Sequence, residues 1–168
     1  DWFGFTRALK SNSIDLQGKE VIVIGAGGTS RSILFSLKQL GVKNILIFNR
    51  TLDNAKLLED TIARSYSLEE IVNFINNESV IINTTPIGML SNESLISIDQ
   101  INKSQIIIDI IYSPIESSLI KMGKNIGAKT LNGLDMFIYQ GLASLDLWFG
   151  KDIENQVNFK QIKSYLER

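Results

Sequence analysis

The spacing of apolar residues along the chain switches back and forth between two patterns. Short unbroken apolar runs predict strands buried on both faces. Stretches with an apolar residue every three or four positions predict helices lying on a core. Runs at residues 21–24, 44–49, 79–84, 105–111 and 128–131 are predicted as strands, the last of them short. The polar piece 65–67 leaves room for only a vestigial strand, the third in chain order. A first helix is predicted to run to about residue 12 on Phe5, Ala8 and Leu9. A second follows the first strand on Ile33, Leu34, Leu37 and Leu40, with Gly41 as its closing glycine. A third spans 52–64 on Leu52, Ala55, Leu57, Leu58 and Ile62. A fourth carries Leu68, Ile71, Val72 and Ile75 behind a capping box of Ser67 and Glu70. Helices over 116–127, 134–149 (closed by Gly150) and 157–166 complete the chain.

Strand and helix alternate throughout, which predicts an α/β fold: a Rossmann-like, doubly wound parallel sheet of about six strands flanked by helices. The 168 residues form one predicted domain, 1–168, without internal repeats. Residues 92–97, polar and set among loop residues, are the candidate for a mobile lid.

The first strand runs straight into Gly25-Ala26-Gly27-Gly28-Thr29-Ser30 and then the second helix. In that setting Gly25 permits a tight turn, and Gly27 lets backbone approach a pyrophosphate held on the free N–H groups of the helix start. Ser30 takes the place of a third glycine and is small enough for the helix to lie near the strand. A plain strand-to-helix turn is the competing interpretation of the same residues.

The end of the second strand selects among dinucleotides. A carboxylate there would hold a ribose 2′-hydroxyl, but this chain has Asn49-Arg50-Thr51. A guanidinium with no acid beside it pairs with a 2′-phosphate, so NADP is preferred over NAD; a solvated arginine at a helix start is the alternative. Asn83-Thr84-Thr85-Pro86 follows a buried strand at the edge where open sheets bind ligands, or forms an ordinary Asn/Thr turn. Asp109, inside an apolar strand, needs partners, and anchoring a neighbouring loop is favoured over facing the site. Tyr112 ends that strand with a hydroxyl in reach of a substrate. Gly133 allows close approach of a cofactor, while Met136 and Gln140 share one helical face; core packing and solvation are the bland alternatives.

Composition narrows the chemistry. With 44% hydrophobic and 21% charged residues and a net charge of −1, nothing draws the chain to nucleic acid or an anionic membrane. No apolar run approaches the ~18 residues of a spanning helix, and the absence of cysteine fits a reducing, cytoplasmic setting. With neither histidine nor cysteine, His/Cys zinc chemistry, Ser-His-Asp triads and thiol nucleophiles are excluded within this chain. No metal is expected. Proton transfer falls to Asp, Glu, Lys, Tyr or water. The aromatic opening Asp1-Trp2-Phe3-Gly4-Phe5 is expected to pack on something, as a fragment of a larger protein would.

Taken together, five motifs in order resemble those of the shikimate dehydrogenase family. They are Gly25-Ala26-Gly27-Gly28-x-Ser30-Arg31, Asn49-Arg50-Thr51, Asn83-Thr84-Thr85-Pro86-x-Gly88-Met89, Asp109-x-x-Tyr112-x-Pro114 and Gly133-Leu134-x-Met136-x-x-x-Gln140. The resemblance covers residues 1–150 and implies the family's C-terminal NADP-binding domain. It implies that Asp1 is the catalytic aspartate, touching substrate and working with a lysine to move the hydroxyl proton. Gly25, Ala26, Gly27, Gly28 and Thr29 would hold the pyrophosphate, and Asn49, Arg50 and Thr51 the 2′-phosphate. Asn83 and Thr84 count with the cofactor residues. Ile110, Gly133 and Met136 would line the nicotinamide, and Tyr112 and Gln140 would touch shikimate. The implied reaction of the whole enzyme is reduction of 3-dehydroshikimate by NADPH, a step of aromatic amino-acid biosynthesis.

The family's substrate domain, with its serine pair and catalytic lysine, is expected to precede Asp1 as the partner of this chain. Residues 1–13 would then be an inter-domain helix. The helix in 152–168 would pack on that missing half, since Phe159, Ile162 and Leu166 need a cover. The isolated chain is expected to bind NADPH and turn over little. Two departures concern the nicotinamide wall: Asp135 stands where a small residue is frequent, and Ile110 where Met or Leu is. The alternatives are a quinate/shikimate dehydrogenase that also uses NAD, and a non-catalytic dinucleotide-binding module.

Overall fold

In the computed structural model, which describes residues 1–150, 153 and 156–167, the apolar runs assemble into one parallel sheet. β1 (Glu20–Ile24) lies at its centre between β2 (Asn44–Asn49) and β4 (Val80–Asn83). β3 (Ala63–Ser67) pairs with the outer side of β2. β5 (Ile106–Asp109) and β6 (Lys129–Leu131) extend the sheet beyond β4. The order β3-β2-β1-β4-β5-β6 means the chain winds outward from β1, then crosses back to wind the other way from β4. The crevice at that reversal, at the carboxyl ends of the strands, is where such sheets take ligands.

Successive strand residues face opposite sides, so each buried run supplies two cores. Val21, Val23, Ile45, Ile47, Val80 and Ile82 pack under α1 (Trp2–Ser11) and α2 (Gly28–Gln39). Ile22, Ile24, Leu46, Phe48 and Ile81 pack on the other face, beneath α4 (Ser118–Ile126) and the aromatic side chains Tyr66 and Phe74. α5 (Leu134–Phe149) crosses α1 at close quarters: a Cβ on Gly4 would lie 2.5 Å from the Met136 carbonyl oxygen. Only glycine allows that approach. The last helix, α6 (Phe159–Leu166), rests on α5 through Phe159 and Ile162, with Phe159 stacked on Tyr139 at 4.5 Å between centroids. The same domain therefore covers Phe159 and Ile162, whereas Leu166 stays 46% exposed. Residues 152, 154, 155 and 168 of the predicted C-terminal segment lie outside the described residues.

Three predicted elements come out differently. The helix predicted over 52–64 is the single turn α3 (Leu52–Lys56). Asp60 ends any continuation, because its carboxylate accepts from the N–H groups of Ile62 and Ala63, both at 3.0 Å. Leu57 lengthened the apparent periodicity although it is 73% exposed. The chain released after Asp60 forms β3, a five-residue strand in full register with β2 rather than a vestige. The fourth helix is a 3₁₀ segment over Leu68–Asn73; its start carries the expected Glu70 carboxylate, which accepts from the Ser67 N–H at 2.9 Å. The lid candidate is tied down: Ile96 is 2% exposed in the core, and the Ser118 hydroxyl donates to the Asn92 carbonyl at 2.8 Å.

Asp109 closes the carboxyl end of β5 and is wholly buried. Its Oδ2 accepts from the Ser117 hydroxyl at 2.6 Å, and its Oδ1 from the Ile111 N–H and the Asn83 side-chain amide, both at 3.1 Å. Loop anchoring is thus what the carboxylate does. Burial pushes its pKa from the ordinary 3.8 up to about 6, against the pull of those three donors. The folded state therefore holds this proton more tightly than the unfolded chain. The resulting stabilisation is complete below about pH 4 and is lost as pH rises through about 6, a change of about 3 kcal/mol. Asp109→Asn keeps a neutral group that accepts from Ile111 and Asn83 and donates to Ser117. Its melting temperature relative to wild type should climb from about pH 4 to about pH 6 and level off above about pH 7. A constant offset across that range would show that Asp109 does not retain its proton.

Candidate functional site

The site begins at the turn from β1 into α2. Gly25 has φ +112°, a region L side chains rarely enter, and a Cβ there would meet Thr84 Oγ1 at 2.5 Å. Around Gly27 and Gly28 the opposite holds: a Cβ would find nothing within 4 Å. The N–H groups of Gly28, Thr29 and Ser30 have no acceptor among the described residues, because no preceding turn exists to receive them. Open backbone, free N–H groups and the positive end of a 12-residue helix together suit a phosphate group. A pyrophosphate fits this cradle.

At the end of β2, the Asn49 side-chain amide donates to the Thr51 carbonyl at 2.8 Å. That bond folds Asn49-Arg50-Thr51 into a compact turn, with Arg50 and Thr51 exposed. Among the described residues Arg50 pairs with nothing, so its five N–H donors are available for an anion.

Asn83 and Thr84, predicted to bind cofactor, have side chains engaged within the protein. Asn83, 3% exposed, donates to Asp109 and accepts from the backbone N–H of Thr85 at 3.0 Å and its hydroxyl at 2.7 Å. The Thr84 hydroxyl donates to the Ile24 carbonyl at 2.7 Å and lies 2.7 Å from the Ser30 hydroxyl. Ser30 in turn accepts from the Gly27 N–H at 3.1 Å. Sequence reasoning gave Ser30 only the role of a small residue; the signal it missed is that a buried hydroxyl needs a partner. The result is a polar line joining the glycine turn to the loop after β4.

Beside this line opens a cleft of about 130 Å³. Asp1, Tyr112 and Gln140 line it together with Thr29, Ile110, Gly133 and Met136. Residues from the start of the chain, from the first turn of α2, from beyond the ends of β5 and β6 and from α5 thus meet in one hollow. Gly133 sets its depth: a Cβ would fall 1.9 Å from the Ile110 carbonyl oxygen, so any side chain would force α5 off the sheet. Phe137, unmarked by any sequence motif, completes the wall and stacks on Tyr112 at 4.4 Å. A larger groove of about 930 Å³ adjoins the cleft and follows α5 outward past Leu142 and Leu145 to Trp148. Its lining is mainly apolar, so the concentration of polar, chemically useful groups is in the smaller hollow. Among the described residues no three acidic side chains converge in a way that could hold a metal ion, and no helix is long and apolar enough to cross a membrane.

Comparison with known proteins identifies the family and the fold. A sequence model described as Shikimate / quinate 5-dehydrogenase matches residues 7–134, and one described as Shikimate 5′-dehydrogenase C-terminal domain matches 133–155. A shikimate dehydrogenase (NADP(+)) of Bacillus cereus is 41% identical over 170 residues, covering 96% of this chain and 61% of its own. The shikimate 5-dehydrogenase of Listeria monocytogenes, solved with shikimate and NAD, superposes with a TM-score of 0.78 at 31% identity. That match covers 90% of this chain and 58% of the other. The shikimate 5-dehydrogenase of Thermus thermophilus, solved with NADP(H) and shikimate, gives 0.73 at 28% identity, over 88% and 55%. The chain therefore spans about 60% of the length of such relatives. By its sequence and its sheet alike, this chain belongs to the shikimate/quinate dehydrogenase family.

Proposed function

We propose that the chain is the NADP(H)-binding half of a shikimate dehydrogenase, whose whole form reduces 3-dehydroshikimate to shikimate with NADPH. The observation that carries this proposal is the cleft in which Asp1, Tyr112 and Gln140 meet Thr29, Gly133 and Met136 at the switch point of the sheet. It sets polar, proton-competent side chains directly beside the helix start that suits a pyrophosphate.

In this scheme the N–H groups of Gly28 and Thr29 hold the pyrophosphate, and Arg50, with Thr51, takes the 2′-phosphate. Ile110, Gly133 and Met136 line the nicotinamide. Tyr112 and Gln140 hold hydroxyl groups of the substrate. Bound NADPH supplies the hydride, which goes to the carbonyl carbon while a proton goes to its oxygen. Asp1, with a lysine from the remainder of the protein, is the group that handles that proton. Asn83 and Thr84 support the pocket from behind, a role consistent with their inward bonds. Quinate oxidation with an unphosphorylated coenzyme is disfavoured by Asn49-Arg50-Thr51, where no carboxylate is present to hold a ribose hydroxyl.

The partner that completes the site is a substrate-binding half, for which the greater length of the relatives leaves room. Its seat is the apolar groove along α1 and α5, where Trp148 is 75% and Leu147 85% exposed. A cytoplasmic location belongs to the same proposal, since a chain without cysteine suits a reducing compartment.

Two outcomes follow. Arg50→Ala should weaken NADPH binding by about ten-fold or more while leaving NADH within about two-fold, measured by fluorescence titration. A wild type that prefers NADPH by about two-fold or less would remove the phosphate argument. Mixed with NADPH and 3-dehydroshikimate, the isolated chain should bind the coenzyme without consuming it, followed by absorbance. Steady oxidation of NADPH would mean that no second half is needed.

A further inference from the structure

Asp135 is 3% exposed and takes no part in the chemistry described above. Its carboxylate stands in the first turn of α5, where the helix dipole favours a negative charge. Burial of a charge is costly unless partners offset it, and here the partners come from two other helices. Asn12, the residue that ends α1, donates its side-chain amide to Oδ2 at 2.8 Å. Lys163 of α6 brings its ammonium to 2.6 Å from Oδ1, off the hydrogen-bond direction, so this contact is an ion pair. One buried group thus fastens the end of α1, the start of α5 and the last helix of the chain.

The placement matters because of the neighbouring residues. Met136, next in sequence, lines the cleft, and its carbonyl touches Gly4 of α1. Gly4 lies one turn from Asp1, the other wall of the same cleft. A shift of the α5 start therefore moves Met136 and Asp1 together. α6 has no fully buried residue of its own and rests on partly buried side chains such as Phe159 and Ile162. Its ammonium reaches across to Asp135, the neighbour of Met136.

We propose that Asp135 is a positioning residue: held by Lys163 and Asn12, it sets the wall of the cleft that faces the nicotinamide, so that α6 tunes coenzyme binding without touching the coenzyme. This rests on the assignment of the cleft to NADP(H). The test compares two ligands on the full chain, NADPH and 2′-phospho-ADP-ribose, which lacks the nicotinamide. Wild type should bind NADPH more tightly than the truncated ligand. Lys163→Met should weaken NADPH by about five-fold or more and the truncated ligand by less than about two-fold, and Lys163→Arg should restore NADPH to within about two-fold of wild type. Asp135→Asn, which keeps the Asn12 bond and frees Lys163 to solvent, should reproduce the selective loss if Lys163→Met does not fold. Equal losses on both ligands, no loss in a variant that melts cooperatively, failure of both variants to fold, or a wild type that binds the two ligands alike would each overturn the proposal. A wild type that binds neither ligand would instead overturn the NADP(H) assignment itself.

Discussion

Everything at the working edge of this sheet depends on buried polar groups that satisfy one another. Asp109 collects a hydroxyl and two N–H donors from three separate segments. One of its partners, Asn83, organises the turn at Thr85, and next to it Thr84 bonds to Ser30, which bonds to the glycine turn. Each link is ordinary in strength, about 1 kcal/mol net. Their weight lies in the alternative, because removing any one leaves a buried donor or acceptor without water or partner, a larger penalty. The loops that form the cleft are thereby held to one arrangement, although loops as a class are the mobile part of a fold.

The sheet itself was legible because its signal is strong and local. A run such as Val21-Ile22-Val23-Ile24 has little use except as a strand buried on both faces, and the glycines after it permit few continuations. β2 and α5 were readable to their end residues for the same reason, with long apolar patterns closed by unambiguous residues. The gathering of Asp1 with Gln140 and Tyr112 was legible in another way. No period or spacing connects residues more than a hundred positions apart, and only the likeness of the motifs to a known family put them in one place.

What escaped the sequence were competitions decided by single side chains. Asp60 could have been one more exposed helical residue, but it captured two N–H groups and turned the chain into β3. Leu57 counted as core in the pattern and lies in solvent. Asn83 and Thr84 sit at a ligand-binding edge yet point their polar atoms into the protein, a choice that no pattern of residue types records. Asp135 was noticed only as out of place. Its partners, Asn12 and Lys163, are separated from it by 123 and 28 positions, and tertiary structure alone could reveal the meeting.

α5 is a single unbroken rod of 16 residues, about 24 Å long. Its first turns form the floor of the cleft, while its far end carries Leu147, Trp148 and Phe149 outward into solvent. A continuous helix without proline transmits displacement along its axis. Whatever grips the aromatic end thus acts on a lever whose short arm is Met136 and whose fulcrum is the glycine crossing with α1. The position of the exposed aromatic end and the shape of the cleft become one mechanical variable.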